Sequence, residues 1–203
     1  MIKMKRQHLK MIKMIAGGIL LCLMAAFLVW VNISEMQKGS ATDRTIAGST
    51  YRDMTYFSNF SLKTFDGKSF SNEDFKGYDV IIVNVWEPGC KSCLQEMPEL
   101  DELAAEYKAK GILLIGIQGN AHVYPEDVET GIQEMKDLQI SMTQLLADET
   151  FSDEVLPYLH NSFPGTWVLD AQGNVLDFTA STKSKADWQA YLDQYVTQEQ
   201  TST

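Results

Sequence analysis

Apolar positions along this chain fall into three kinds of run, and each predicts a different element. Met14 to Val31 is eighteen residues without a charge, which at about 1.5 Å per residue nearly crosses a bilayer core. Val80 to Trp86 and Ile112 to Ile117 are short continuous apolar runs, as expected of strands buried on both faces. Leu94, Met97, Leu100, Leu103, Ala104 and Tyr107 recur at helical spacing before Gly111, so Cys90 to Lys110 predicts a helix.

The remaining elements are shorter. Phe60 and Leu62 alternate with polar residues before Asp66-Gly67, and the chain returns through Lys68 to Phe70, a hairpin. Ser71 and Asp74 predict a capping box on a short helix that ends near Gly77. Glu126 to Leu138 predicts a surface helix and Met142 to Leu146 a short strand. Thr166 to Leu169 and Val175 to Phe178 flank Gln172-Gly173-Asn174 as a second hairpin, and Lys185 to Val196 reads as a last amphipathic helix. Strands alternating with helices in this order imply an α/β domain with a mixed sheet.

Lys3, Lys5, Arg6, Lys10 and Lys13 precede the long apolar run, and positive flanks stay in the cytoplasm. An uncleaved anchor is preferred to a cleaved signal peptide, because the run is long for a signal core and no small-x-small site follows it. Cys22 follows Leu21, where a lipoprotein site needs a small residue, so it reads as a buried membrane cysteine. The expected organisation is a cytoplasmic basic segment over 1–13, a transmembrane signal-anchor over 14–33, a polar tether over 34–55, a folded domain over 56–198 and a tail over 199–203.

From Ser34 onward, 12 Lys and Arg face 27 Asp and Glu, a formal charge of −15. That balance argues against nucleic acid and anionic lipid surfaces as partners. Only Cys90 and Cys93 lie beyond the apolar segment, too few for a disulfide scaffold and the right number for one redox pair.

Cys90-Lys91-Ser92-Cys93 sits at a predicted strand-to-helix junction. A helix start offers unpaired N–H groups and the positive end of the dipole, which favours a thiolate on Cys90. Cys93, one turn on, can attack a mixed disulfide formed on Cys90. Lys91 either lowers the Cys90 pKa by its charge or is simply solvated. A zinc site would need four ligands, and no second CxxC exists while His122 and His160 stand apart. No metal and no cofactor is expected, since the dithiol itself carries the electron pair.

With these residues placed, the chain resembles the thioredoxin superfamily, and within it the membrane-anchored TlpA and ResA type of oxidoreductase, over about residues 58–198. Asn84-Val85-Trp86 leads into the CxxC, Pro98 falls five residues after Cys93, and Phe163-Pro164-Gly165-Thr166-Trp167-Val168-Leu169-Asp170 resembles the cis-proline loop and its strand. Gly119 to Leu146 resembles the helix-strand insertion of this branch. The resemblance implies a thioredoxin-like fold, a central mixed β-sheet flanked by helices with an N-terminal hairpin. It implies a cis peptide at Pro164, with Phe163 and Pro164 binding an extended substrate beside the dithiol. Trp86 is placed with them, packing under the site. Glu96 matches the glutamate that handles the proton of the second cysteine in ResA-like proteins; a solvated helix residue is the alternative.

Two positions depart from that family. Gly89 stands where a tryptophan usually precedes the first cysteine, and Ser92 replaces the common proline. Glycine there predicts a more mobile loop. The expected activity is thiol-disulfide exchange outside the cytoplasm by a single-pass membrane protein, reducing disulfides of exported clients. Cytochrome c maturation and methionine sulfoxide reductase recycling are examples, and a transmembrane thiol donor would supply the electrons. A disulfide-forming oxidase of the same fold, or a non-catalytic module that binds metal or a partner, are the alternatives.

Overall fold

The computed structural model of the chain describes residues 45–46 and 49–196. The expected cytoplasmic segment, transmembrane anchor, most of the tether and the tail lie outside them. Among the described residues no helix is long and apolar enough to cross a membrane.

Thr45–Ile46 (β1) and Ser49–Thr50 (β2) form a two-stranded antiparallel ladder. The main sheet comprises Ser61–Thr64 (β3), Ser69–Ser71 (β4), Val80–Trp86 (β5), Ile112–Gln118 (β6), Gln144–Leu146 (β7), Gly165–Asp170 (β8) and Val175–Thr179 (β9). Their spatial order is β4-β3-β7-β6-β5-β8-β9. β5, β6 and β7 run parallel, while β3, β4, β8 and β9 pair antiparallel with their neighbours. The helices are Lys91–Lys108 (α1), Val128–Asp137 (α2), Glu149–Glu154 (α3) and Lys185–Leu192 (α4).

Every residue of β5 is buried, which is why its sequence is apolar without alternation. Successive side chains still point to opposite faces. Ile81, Val83 and Val85 join a core with Phe57, Phe75, Phe151 and Trp167. Val80, Ile82 and Trp86 join a second core with Met97, Leu100 and Leu103 of α1 and Trp188 and Leu192 of α4. Asn84, between Ile82 and Trp86 on that second face, is therefore turned toward the helix that follows the CxxC.

Three expectations need adjustment. Tyr51 and Met54, within the expected tether, are buried in the first core, because Thr50 caps a short 3-10 helix, Tyr51–Asp53, that turns them inward. The short helix after Ser71 does carry the expected capping box but is a 3-10 helix, Asn72–Phe75. α3 and the 3-10 helix Leu156–Leu159 occupy a stretch for which no element was predicted; Asp148 caps α3 by accepting the Phe151 N–H.

Candidate functional site

The carboxyl end of β5 delivers the chain through Glu87, Pro88 and Gly89 to Cys90, which is the N-cap of α1. Cys90 and Cys93 are joined as a disulfide, with Cα atoms 5.3 Å apart. Cys90 Sγ accepts the N–H of Cys93 at 3.3 Å, so the sulfur holds the place an N-cap oxygen usually takes. The Ser92 hydroxyl lies 3.4 Å from the same sulfur. Cys90 is part-exposed and Cys93 is fully buried. An incoming thiol or disulfide therefore meets Cys90 first. Pro98 sits within α1, which continues past it to Lys108.

Glu96, one turn beyond Cys93, is 4% exposed, which excludes the solvated alternative for its side chain. Its Oε1 accepts from Asn84 Nδ2 at 3.3 Å, and its Oε2 accepts from the Lys183 backbone N–H at 3.2 Å and from Trp188 Nε1 at 3.3 Å. Asn84 Nδ2 also donates to Thr166 Oγ1 at 3.1 Å, while Asn84 Oδ1 is buried without a partner. Burial pushes the Glu96 carboxyl above its ordinary value, and these donors with the Lys183 charge only partly oppose it. A cleft of about 280 Å³ lined by Ser92, Gln95, Glu99 and Thr182–Ser184 reaches Glu96 from solvent. The arrangement is a buried carboxyl able to exchange a proton near the base of a dithiol.

The Phe163-Pro164 peptide is cis. β8 runs antiparallel to β5 with Val85 opposite Gly165, so the loop before β8 opens at the sheet end where β5 leads to Cys90. Pro164 is buried and Phe163 half-buried; the ring of Phe163 packs near Gly119, where a Cβ would come within 3.2 Å of it.

Trp86 packs under the site as expected, and its grouping with the substrate-binding residues is corrected. It is completely buried, and its indole N–H donates to Gln144 Oε1 at 2.9 Å. The position of Trp86 on the α1 face of β5 puts it beneath the site, where a client cannot touch it. Gln144 reaches it across β6 because Gly116, paired with Gln144 in the ladder, carries no side chain.

Several site residues carried no sequence signal. Lys183 lies in the loop before α4; its Nζ donates to Thr179 and Ser181 and sits 4.9 Å from the Trp188 ring centre. Glu134 on α2 accepts the Gly89 N–H through both carboxylate oxygens, at 3.1 and 3.3 Å. The loop at Gly89, expected to be mobile, is thus tied to α2. The bond spans 45 positions of chain and has no local pattern. Lys91 is exposed, and burial with the nearby Asp127 raises the Glu87 carboxyl. His122 and His160 are both exposed. Among the described residues no three His, Cys, Asp or Glu side chains gather as a metal site.

Residues 55–178 match the model of the AhpC/TSA family. Thioredoxin-like protein YneN of Bacillus subtilis is 31% identical over 134 residues, covering 66% of this chain and 75% of that one. Thiol-disulfide oxidoreductase ResA of Geobacillus kaustophilus is 25% identical over 179 residues, covering 87% of this chain and 91% of the relative. Among solved structures, a thiol:disulfide interchange protein of the thioredoxin family from Chlorobium tepidum superposes with a TM-score of 0.59 at 27% identity, over 68% of this chain and 94% of that one.

Proposed function

The chain belongs to the AhpC/TSA family, and we propose that it works as a membrane-tethered thiol-disulfide oxidoreductase that reduces disulfides of exported proteins. The observation that carries this reading is the asymmetry of the CxxC pair at the head of α1, part-exposed Cys90 against fully buried Cys93, with buried Glu96 one turn further on. Relatives named as thiol-disulfide oxidoreductases support the reaction class.

In the reduced protein, the Cys90 thiolate attacks a client disulfide, forming a Cys90–client bond and expelling the client's other sulfur as thiolate. Cys93 then gives its proton to Glu96 and attacks Cys90 Sγ. The Cys90–Cys93 disulfide forms, the second client sulfur leaves and takes up a proton, and two electrons have passed from dithiol to client. Phe163 and Pro164 lie where the β5–β8 ladder ends, so an extended client can lie against their backbone beside Cys90. The basic residues that precede the apolar N-terminal run support an extracytoplasmic side for this chemistry. A transmembrane thiol donor would then return the dithiol to its reduced form. Apocytochrome c cysteines and an exported methionine sulfoxide reductase are the client types proposed.

The test is the reduction potential of the Cys90–Cys93 couple in the full chain, equilibrated against glutathione and dithiothreitol. A value near or below about −250 mV supports a reductase, and one near about −120 mV overturns that direction.

A further inference from the structure

Helix α2 touches the loop that delivers Cys90 at two points one turn apart. Gly131 has no side chain, and a Cβ there would lie 3.2 Å from the Pro88 ring. Three residues on, Glu134 takes the Gly89 N–H with both oxygens, at 3.1 and 3.3 Å. Positions i and i+3 share one helix face, so Pro88 and Gly89 are held by the same face of α2. Gly89 is exposed, has a φ of +74°, and has no atom within 4 Å of where its Cβ would be. Nothing is packed on the side where a Cβ would project, and the Gly89 N–H is held by the carboxylate.

We propose that Glu134 is a positioning residue of the redox site: it fixes the loop in front of Cys90 and, through its charge, keeps the dithiol strongly reducing. The inference rests on the thiol-disulfide reading above. A thiolate on Cys90 is favoured by the amino end of α1. A carboxylate bonded to the preceding residue's amide opposes that field from close range. Thiolate exists only in the reduced protein, so disfavouring it shifts the couple toward the disulfide and lowers the potential.

Other charged or polar groups lie on or against this loop, Asp127 beside Glu87 among them. Lys91 follows it and is exposed, and Glu87 accepts the Cys90 N–H on its backbone carbonyl and carries a carboxyl of its own. Ser92 contributes a neutral hydroxyl. Glu134 is the group that combines a charge with a direct bond to this loop.

Glu134→Gln tests the charge while keeping an oxygen for the Gly89 amide. In the full chain, thiolate absorbance should show Cys90 titrating at lower pH than in the wild type. The equilibrium with glutathione should move roughly three- to tenfold toward the dithiol, tenfold being about 30 mV for a two-electron couple. Thermal midpoints should coincide, which a merely structural effect would not give. Glu134→Ala should add faster hydrogen exchange at the Gly89 amide. An unchanged Cys90 titration and glutathione equilibrium in Glu134→Gln would overturn the proposal. Neither readout needs turnover, so a wild-type chain unable to reduce insulin disulfides would sink the oxidoreductase reading separately.

Discussion

Asn84 and Glu96 meet at 3.3 Å inside the domain, the amide of a central strand donating to the carboxylate of the redox helix. The pair is buried on both sides, with Asn84 2% and Glu96 4% exposed. Asn84 cannot exchange protons, so within this pair only Glu96 is able to take one up or release it.

This burial makes stability depend on pH in a definite direction. The Glu96 carboxyl is raised above its ordinary value of 4.5, chiefly by burial. Below that value it is protonated in native and unfolded chains alike. As pH climbs, the unfolded chain releases the proton first, and stability falls until pH has passed through the raised native value. Glu96→Gln cannot ionise, so its denaturant midpoint should decline less steeply above pH 4.5 than that of the wild type. Parallel curves for the two proteins would assign the pH dependence to other groups.

The same substitution should separate the two chemical steps. Mixed-disulfide formation on Cys90 should proceed normally in Glu96→Gln, while resolution by Cys93 slows by about 10²- to 10⁴-fold at neutral pH, the range general bases commonly supply. Single-turnover quenching with a client disulfide distinguishes the steps, and equal slowing of both would remove Glu96 from the resolving step.

Cys90→Ala should abolish turnover altogether. Cys93→Ala should retain attack and accumulate a client on Cys90, visible as a band lost on reduction. Because only Cys90 is part-exposed, accumulation on Cys93 in the reciprocal variant would contradict the order of attack.

Gln144→Leu removes the acceptor for the Trp86 indole, an N–H with no route to water. The expected cost is about 1–3 kcal/mol by urea denaturation. A loss well below that range would mean that the indole finds another acceptor.

Gly173 lies in the β8–β9 turn with φ +83°, and a Cβ there would collide with the backbone carbonyl of Phe57. Gly173→Ala should destabilise by more than about 1 kcal/mol. Since Phe57 is fully buried, the strain should appear as a lower thermal midpoint with redox activity retained below it.

The strands around the site were legible because each is a short apolar run closed by turn chemistry, and Cys90 and Cys93 because their spacing and junction are local. α3 was not read from the sequence, although Asp148 and the spacing of Phe151, Val155, Tyr158 and Leu159 were a helix signal; its six residues and the nearby Pro157 obscured it. Whether Glu96 was solvated or buried could not be decided locally, because the groups that cover it, Lys183 and Trp188, come 87 and 92 positions later. Glu134 and Gln144 were invisible for the same reason. Trp86 was placed at the right depth by its position on β5, yet its partner lies 58 positions away.

The hold of Lys183 and Trp188 on Glu96 also sets an order of completion. As the chain is made from its amino end, the residues of the redox helix are synthesised long before the segment that closes over its acid. Without the segment that carries Lys183 and Trp188, Glu96 lacks two of its hydrogen-bond donors. A chain shortened before residue 183 would carry both cysteines yet lack the environment that sets the acid beneath them. A segment distant in sequence from the cysteines thus completes the surroundings of the acid on their helix.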